Sequence, residues 1–156
     1  MKKLTSIIFA CGFSLLANQA NANVLGSAAN PTNFLPNLST TATYVPLLPS
    51  GVNYMHFYVP VSGLVSITYN AECNVSATSS GKWIGLEIRV DGSTPIPPSS
   101  MTKSFCTSTP NISTWVSASS DVTPYLTAGW HYVQVRVQEF GTGTGWLGDS
   151  IVTVMQ

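Results

Sequence analysis

Charged side chains are scarce in this sequence. Only six Lys or Arg residues and six Asp or Glu residues occur among 156 positions, so charged residues make up 8% of the chain. Phosphate binding needs clustered Lys and Arg side chains, and beyond the first three positions the sequence has no such cluster. The composition therefore predicts that nucleic acid is not a partner of this protein.

Helical periodicity is also missing. No segment keeps apolar residues three or four positions apart for more than about two turns. Apolar and polar residues alternate instead, most clearly in Ile84–Val90 and Val133–Val137, and turn residues separate these runs. This pattern predicts an all-β protein, an antiparallel jelly-roll β-sandwich of six to nine strands.

The longest apolar run lies near the N-terminus, from Leu4 to Ala17. Lys2 and Lys3 precede it, and the small-x-small sequence Ala20–Ala22 follows it, which is typical of a secretory signal peptide cleaved after Ala22. The run is too short for a membrane span of about 20 residues. We expect a protein of the periplasm, the cell surface or the medium, with no membrane insertion after cleavage.

The rest of the chain divides by composition into two parts. Residues 23–53 are rich in Pro, Asn, Ser and Thr, which favours an extended arm with a short strand near Thr41–Val45. Residues 54–156 carry the alternating pattern and form the predicted β-sandwich domain. The arm also holds apolar residues that could cover a sheet edge or a neighbouring subunit: Phe34, Leu35, Leu38, Leu47 and Leu48.

Cleavage after Ala22 would remove Cys11 and leave only Cys73 and Cys106. In an oxidising compartment two such residues are expected to form a disulfide. The rival interpretation is a metal site, but neither cysteine has a second Cys or a His at ligand spacing. We therefore expect a Cys73–Cys106 bridge, no metal and no cofactor.

Two segments carry a family resemblance. Phe57–Cys73 places an apolar strand before the turn residues Val59-Pro60 and Gly63, and a second strand then ends in Tyr69-Asn70. In Leu126–Val137, the residues Leu-Thr-Ala-Gly come first and an alternating strand follows them. These segments resemble the jelly-roll head domains of the complement and tumour-necrosis-factor superfamily, and the strand entry also resembles carbohydrate-binding β-sandwich modules. The first resemblance implies a homotrimer with an apolar threefold interface.

Few residues in the chain could perform hydrolysis. Gly148-Asp149-Ser150 resembles the nucleophile block of one esterase class, but no His follows it. His56 and His131 are the only histidines, and their spacing matches no triad. Asp91 is expected to be a turn residue and Glu87 to face outward beside Arg89 or Arg136. We therefore expect that the protein is not an enzyme, with a small secreted hydrolase as the third-ranked function.

Aromatic residues are the best ligand-binding candidates, because sugar faces stack on exposed rings and Trp or Tyr residues anchor many interfaces. Trp146 follows a Gly-rich loop and Trp83 follows a Ser-Gly turn. Tyr125 and Trp115 complete the candidate set. The predicted function is a secreted binding or adhesion module that recognises a glycan or protein through loops. The alternative is a structural subunit of a surface assembly, such as a pilin-like or coat protein.

Overall fold

The computed structural model describes residues 22–34, 41–76, 81–108, 114–141 and 144–156, and these ranges contain strands and connections only. None of them contains a helix long and apolar enough to cross a membrane. The strands are β1 (Val24–Asn30), β2 (Thr43–Tyr44), β3 (Met55–Val59), β4 (Gly63–Leu64), β5 (Ser66–Ser76), β6 (Trp83–Val90), β7 (Ser100–Thr107), β8 (Val116–Val122), β9 (Tyr125–Leu126), β10 (Gly129–Phe140) and β11 (Thr144–Met155).

Nine of the strands in the described ranges form two antiparallel sheets, and β4 and β9 pair with each other. One sheet has the order β1-β11-β5-β8, and we call it the β5 sheet. In the other, the β10 sheet, β3 and β2 lie along one edge of β10, and β6 and β7 follow on its other side. The chain passes repeatedly between the sheets, so most neighbouring strands are not consecutive in sequence. This arrangement is an antiparallel jelly-roll β-sandwich, and it confirms the predicted fold class.

The core lies between the two sheets and follows the predicted alternation. In β10, Val133, Val135 and Val137 are fully buried, while the residues between them are only half-buried. Met55, Phe57 and Val59 of β3 point inward in the same way. A slip of one residue would turn these apolar side chains to solvent, so the pattern defines the register of the strands.

A disulfide joins Cys73 in β5 to Cys106 in β7. Because β5 and β7 belong to different sheets, the bridge is a covalent link across the sandwich. Both cysteines are buried in the core. The predicted pairing is confirmed, and it is compatible with a location in the periplasm or outside the cell.

The N-terminal arm is part of the sandwich at both ends of its described portion. β1 lies within the arm and pairs with β11 as an edge strand of the β5 sheet. The predicted strand near Thr41–Val45 is present as β2. Phe34 bridges Leu147 and packs against the core, and Leu47 is buried within it, whereas Leu35 and Leu38 lie outside the described residues. The arm therefore covers a sheet edge of its own chain.

Strand β7 has no counterpart in the sequence prediction. Its residues show little apolar alternation, and its register with β6 shifts twice, on either side of Gly85. A Cβ atom at Gly85 would lie 1.9 Å from the Met101 carbonyl oxygen, so the backbone of β7 crosses close over this position. The strand is thus held by a close backbone approach that only glycine permits, rather than by an alternating pattern.

Candidate functional site

Five aromatic side chains gather on the outer surface of the β10 sheet. Tyr54, His56 and Tyr58 come from β3 and the residue before it, and they alternate with inward-facing core residues. Trp130 and Tyr132 come from β10 and alternate in the same way. We call these five residues the aromatic face.

Strand pairing brings the rings of the aromatic face into contact. Trp130 lies opposite Tyr58 in the register, and Tyr132 lies opposite His56. The ring centroids of Tyr58 and Trp130 are 5.5 Å apart, and those of His56 and Tyr132 are 5.9 Å apart. Tyr54 approaches His56 at 5.1 Å and Tyr132 at 6.3 Å. All these pairs meet edge to face, a favourable geometry for aromatic rings.

The aromatic face is open to solvent to an unusual degree. Trp130 is 72% exposed, and Tyr58 and Tyr54 are exposed by 48% and 42%. Large aromatic side chains are usually well buried, and contiguous apolar patches on monomers often have a binding role. The face is therefore the strongest binding candidate in the part of the chain that the structure describes.

A shallow recess of about 260 Å³ opens within the aromatic face. Tyr54, His56 and Tyr132 line it together with Gln134, the next outward residue of β10. The volume lies just below the range of ~300–1,000 Å³ that is common for small-molecule sites. Three rings and one amide can thus hold a single ring-sized group by stacking and one or two hydrogen bonds.

An ion-pair network adjoins the recess on the same surface. Oε1 of Glu87 accepts hydrogen bonds from Nε of Arg89 at 2.6 Å and from Nη1 of Arg136 at 3.1 Å. The predicted neighbours of Glu87 are confirmed, but its side chain is covered rather than exposed, with only 4% of the residue accessible. The guanidinium of Arg136 lies 5.2 Å from the ring centroid of Tyr44, which is a cation–π contact.

His131 lies beneath the aromatic face, between Trp130 and Tyr132 in sequence, and its side chain points inward. Its Nδ1 is 2.7 Å from Oδ2 of Asp91, and its Nε2 is 2.8 Å from the Thr127 carbonyl oxygen. A carbonyl oxygen and an ionised carboxylate can only accept hydrogen bonds. Both contacts are therefore hydrogen bonds at the same time when both ring nitrogens donate, as they do in the charged imidazolium form.

Asp91 is the turn residue that the sequence predicted, with a positive φ of 53°. Its Oδ1 accepts a hydrogen bond from the Tyr132 backbone amide, so its carboxylate holds both His131 and the start of β10. Burial lowers the pKa of His131, but the hydrogen bonds to Asp91 and Thr127 and the charge of Asp91 outweigh burial. The pKa of His131 is consequently raised above 6.5.

We expect this interaction to make stability depend on pH. Because the folded state binds the proton of His131 more tightly than the unfolded state, its contribution is complete below pH 6.5 and is lost as pH rises through the raised pKa. Replacement His131→Gln should cost about 3 kcal/mol or more at pH 6, since each of its two hydrogen bonds in the charged form contributes about 1.5 kcal/mol or more, and less at pH 9. Urea unfolding of both proteins from pH 5.5 to 9 measures the difference.

The control for this experiment is His56→Gln, which changes the exposed histidine of the aromatic face. It leaves the contacts of His131 with Asp91 and Thr127 in place, so the loss of stability that His131 causes above pH 6.5 should persist in this variant. A stability difference between wild type and His131→Gln that stays constant or grows above pH 6.5 would contradict the imidazolium assignment.

The four ligand-binding candidates from the sequence do not share one sheet. Tyr125 is 67% exposed and pairs with Leu64 in the small β4–β9 sheet. Trp115 is 40% exposed and lies next to the β11 bulge. Trp83 is half-buried and stacks on Phe140 with centroids 4.9 Å apart, and Trp146 is half-buried in β11. Trp83 and Tyr125 therefore lie in different sheets, whereas Trp146 and Trp115 both lie by the β5 sheet, where Trp146 is opposite Asn74 and the Trp115 ring lies over Gly148.

Sequence reasoning did not select the residues of the aromatic face. Two signals were available: the alternation of Tyr54, His56 and Tyr58 with apolar residues, and the same spacing of Trp130 and Tyr132. Each signal alone indicates only an outward-facing strand surface. Their combination depends on the pairing of β3 with β10, which periodicity along either strand does not reveal.

The outer surface of the opposite sheet also carries carboxylates. Glu72 and Asp149 both line a recess of about 240 Å³ on the β5 sheet. Within the described ranges, no group of three or more His, Cys, Asp or Glu side chains is placed to hold a metal ion.

A separate carboxyl group, that of Glu139 in β10, has a raised pKa. Burial raises this pKa, while the Gly145 backbone and Lys82 act in the opposite direction.

Comparison with known proteins gives information on the fold. No family model matches the chain, and no curated protein matches it. A chain in the structure of infectious bursal disease virus Gx strain is similar, with a TM-score of 0.51 and 12% sequence identity. The match covers 88% of this chain and 32% of that chain, so this chain spans about a third of that chain's length. At this identity the similarity supports the β-sandwich fold alone.

Proposed function

We propose that this protein is a secreted, non-enzymatic binding module that recognises a glycan through its aromatic face. The observation that carries the proposal is the group of five adjoining aromatic rings on paired strands, four of them exposed and Tyr132 half-buried. Exposed rings of this kind offer apolar platforms to the C–H faces of sugars, and their hydroxyl, imidazole and indole groups can form hydrogen bonds at the edges.

The strands that carry the aromatic face support recognition without rearrangement. β3 and β10 are regularly paired over five register positions, and their inward residues are locked in the core. A site on packed strands loses little conformational entropy when a ligand binds, which favours affinity. The recess beside Gln134 supplies a place for one sugar ring, and the open surface toward Trp130 can accept the next ring of a chain.

The placement of His131 supports a binding role over a catalytic one. Both of its ring nitrogens are engaged by Asp91 and Thr127, so neither is free to take a proton from a nucleophile. The secreted location is supported by the signal-like N-terminus and by the Cys73–Cys106 disulfide. Fold similarity adds nothing to the choice of ligand, because one fold serves many functions.

Replacement of Trp130 by alanine tests the proposal. We expect Trp130→Ala to weaken glycan binding by about tenfold or more, because truncation of an anchoring Trp commonly costs 2 kcal/mol or more. A glycan array with the wild type identifies a ligand, and calorimetric titration then compares the proteins. Trp115→Ala is the matched control, since it removes an exposed tryptophan outside the face.

Three outcomes of this experiment would contradict the proposal. One is the absence of binding to every glycan on the array. Another is equal loss of binding in Trp130→Ala and Trp115→Ala. The third is a wild type that light scattering shows to be a multimer and a Trp130→Ala variant that is a monomer. That result would make the face an interface between copies and favour the structural-subunit alternative, including the trimer that the family resemblance implies.

A further inference from the structure

The ion-pair network beside the recess has an excess of positive charge. Glu87 is its only carboxylate, and it is shared by the guanidinium groups of Arg89 and Arg136. The chain after Ala22 contains only four basic residues against six acidic ones, and two of the four lie in this network. A positively charged spot on a protein of this composition therefore lies directly on the surface that bears the aromatic face.

Arg89 is the member of the network that has unused hydrogen-bond donors. Only its Nε is used, in the hydrogen bond to Glu87, although a guanidinium has five N–H groups. Its Nη1 and Nη2 form no hydrogen bond to any residue that the structure describes, and its side chain is 20% exposed. Arg136 differs, because its Nη1 binds Glu87 and its Nη2 binds the Ala42 carbonyl oxygen.

The register places Arg89 next to the recess. Arg89 lies directly opposite Gln134 in the β6–β10 pairing, and Gln134 lines the recess with Tyr132. Side chains opposite one another on antiparallel strands have Cβ atoms about 5 Å apart, and diagonal neighbours lie about 7–8 Å apart. Gln134 and Tyr132 are therefore the cross-strand and diagonal neighbours of Arg89. Arg89 does not itself line the recess, so a substituent of a sugar ring held there would reach this guanidinium by extending past Gln134.

We infer that the glycan carries a carboxylate, as in a uronic acid residue, and that Arg89 receives it. This inference rests on the proposed function and specifies its ligand class. The planar fork formed by Nη1 and Nη2 matches the two oxygens of a carboxylate, and such bidentate bonds are among the strongest in proteins. Stacking on the rings then positions the sugar, and the charge selects acidic sugars over neutral ones.

The test compares uronic acid oligosaccharides with their methyl esters, which differ only in the charge of the carboxyl group. We expect the wild type to bind the acid form about ten- to a hundredfold more tightly, the value of a charge-assisted hydrogen bond. This preference should decrease as the salt concentration rises. Arg89→Gln should abolish the preference, while Lys103→Gln, which removes an exposed charge on β7, should keep it.

The comparison of acid and ester uses the unaltered protein, so it decides the question even if Arg89→Gln does not fold. Equal affinity for the acid and the ester would overturn the inference, and so would a folded Arg89→Gln variant that still prefers the acid. Binding of neutral or sulfated glycans without a uronate preference would also overturn it, while leaving the proposed function in place. Failure to bind any glycan would remove the proposed function itself.

Discussion

Removal of the Cys73–Cys106 disulfide is expected to lower the free energy of unfolding by about 4 kcal/mol. The two cysteines are 33 residues apart in sequence, and a closed loop of that length restricts the unfolded chain by about this amount in the chain-entropy model. For a domain of this size the loss corresponds to a melting temperature lower by roughly 10–20 °C. Urea and thermal unfolding of wild type and of a Cys73→Ala, Cys106→Ala double variant measure it.

The location of the bridge explains why its removal should lower the stability of the whole molecule. β5 is an inner strand of one sheet, and β7 is the edge of the other, so without the bridge β7 keeps its irregular pairing with β6 and the contact of Phe105 with Tyr69. Cys73→Ala alone removes the same bridge and should be as unstable as the double variant, apart from small packing differences. A double variant that melts within 2–3 °C of the wild type would contradict this account.

Replacement of Glu87 by alanine is expected to cost about 2–4 kcal/mol. The change leaves Arg89 and Arg136 side by side on a covered surface without their shared acceptor. Removal of one partner from a fully buried ion pair commonly costs 3–5 kcal/mol, and the partial exposure of these arginines places the expected value somewhat lower. Urea unfolding at low and high salt measures the loss.

Two further variants separate charge from shape at this position. Glu87→Gln keeps the size of the side chain and one accepting oxygen, so it should lose only part of the stability that Glu87→Ala loses. Asp149→Ala removes an exposed carboxylate elsewhere and should change the free energy of unfolding by no more than about 0.5 kcal/mol. A Glu87→Ala variant that is as stable as Asp149→Ala would contradict the role given to this network.

Much of the fold was predictable because strand periodicity is a local property. Alternation identified β3, β6 and β10, and the cysteine count together with the signal-like N-terminus predicted the disulfide. β7 escaped prediction because its two register shifts and its polar residues leave no regular alternation. The burial of the Glu87 side chain was not predicted either, because it depends on Arg136 from another strand.

The candidate site was less predictable than the fold. Sequence reasoning favoured loop tryptophans, and Tyr125 and Trp115 are indeed exposed, but one follows β8 and the other precedes it. The aromatic face combines β3 with β10, whose paired residues Phe57 and His131 are 74 positions apart in sequence. Its members become neighbours only through that pairing.

The sequence by itself determined the all-β class, the faces of the main strands, the disulfide partners and the scarcity of charge. Each of these follows from composition or from neighbours two residues apart. Only the tertiary structure decided that Tyr54, His56, Tyr58, Trp130 and Tyr132 share one surface, that His131 is held by Asp91, and that Arg89 has free donors beside the recess. The physical reason is that strand pairing joins distant segments through backbone hydrogen bonds, and those bonds carry no residue-specific signal.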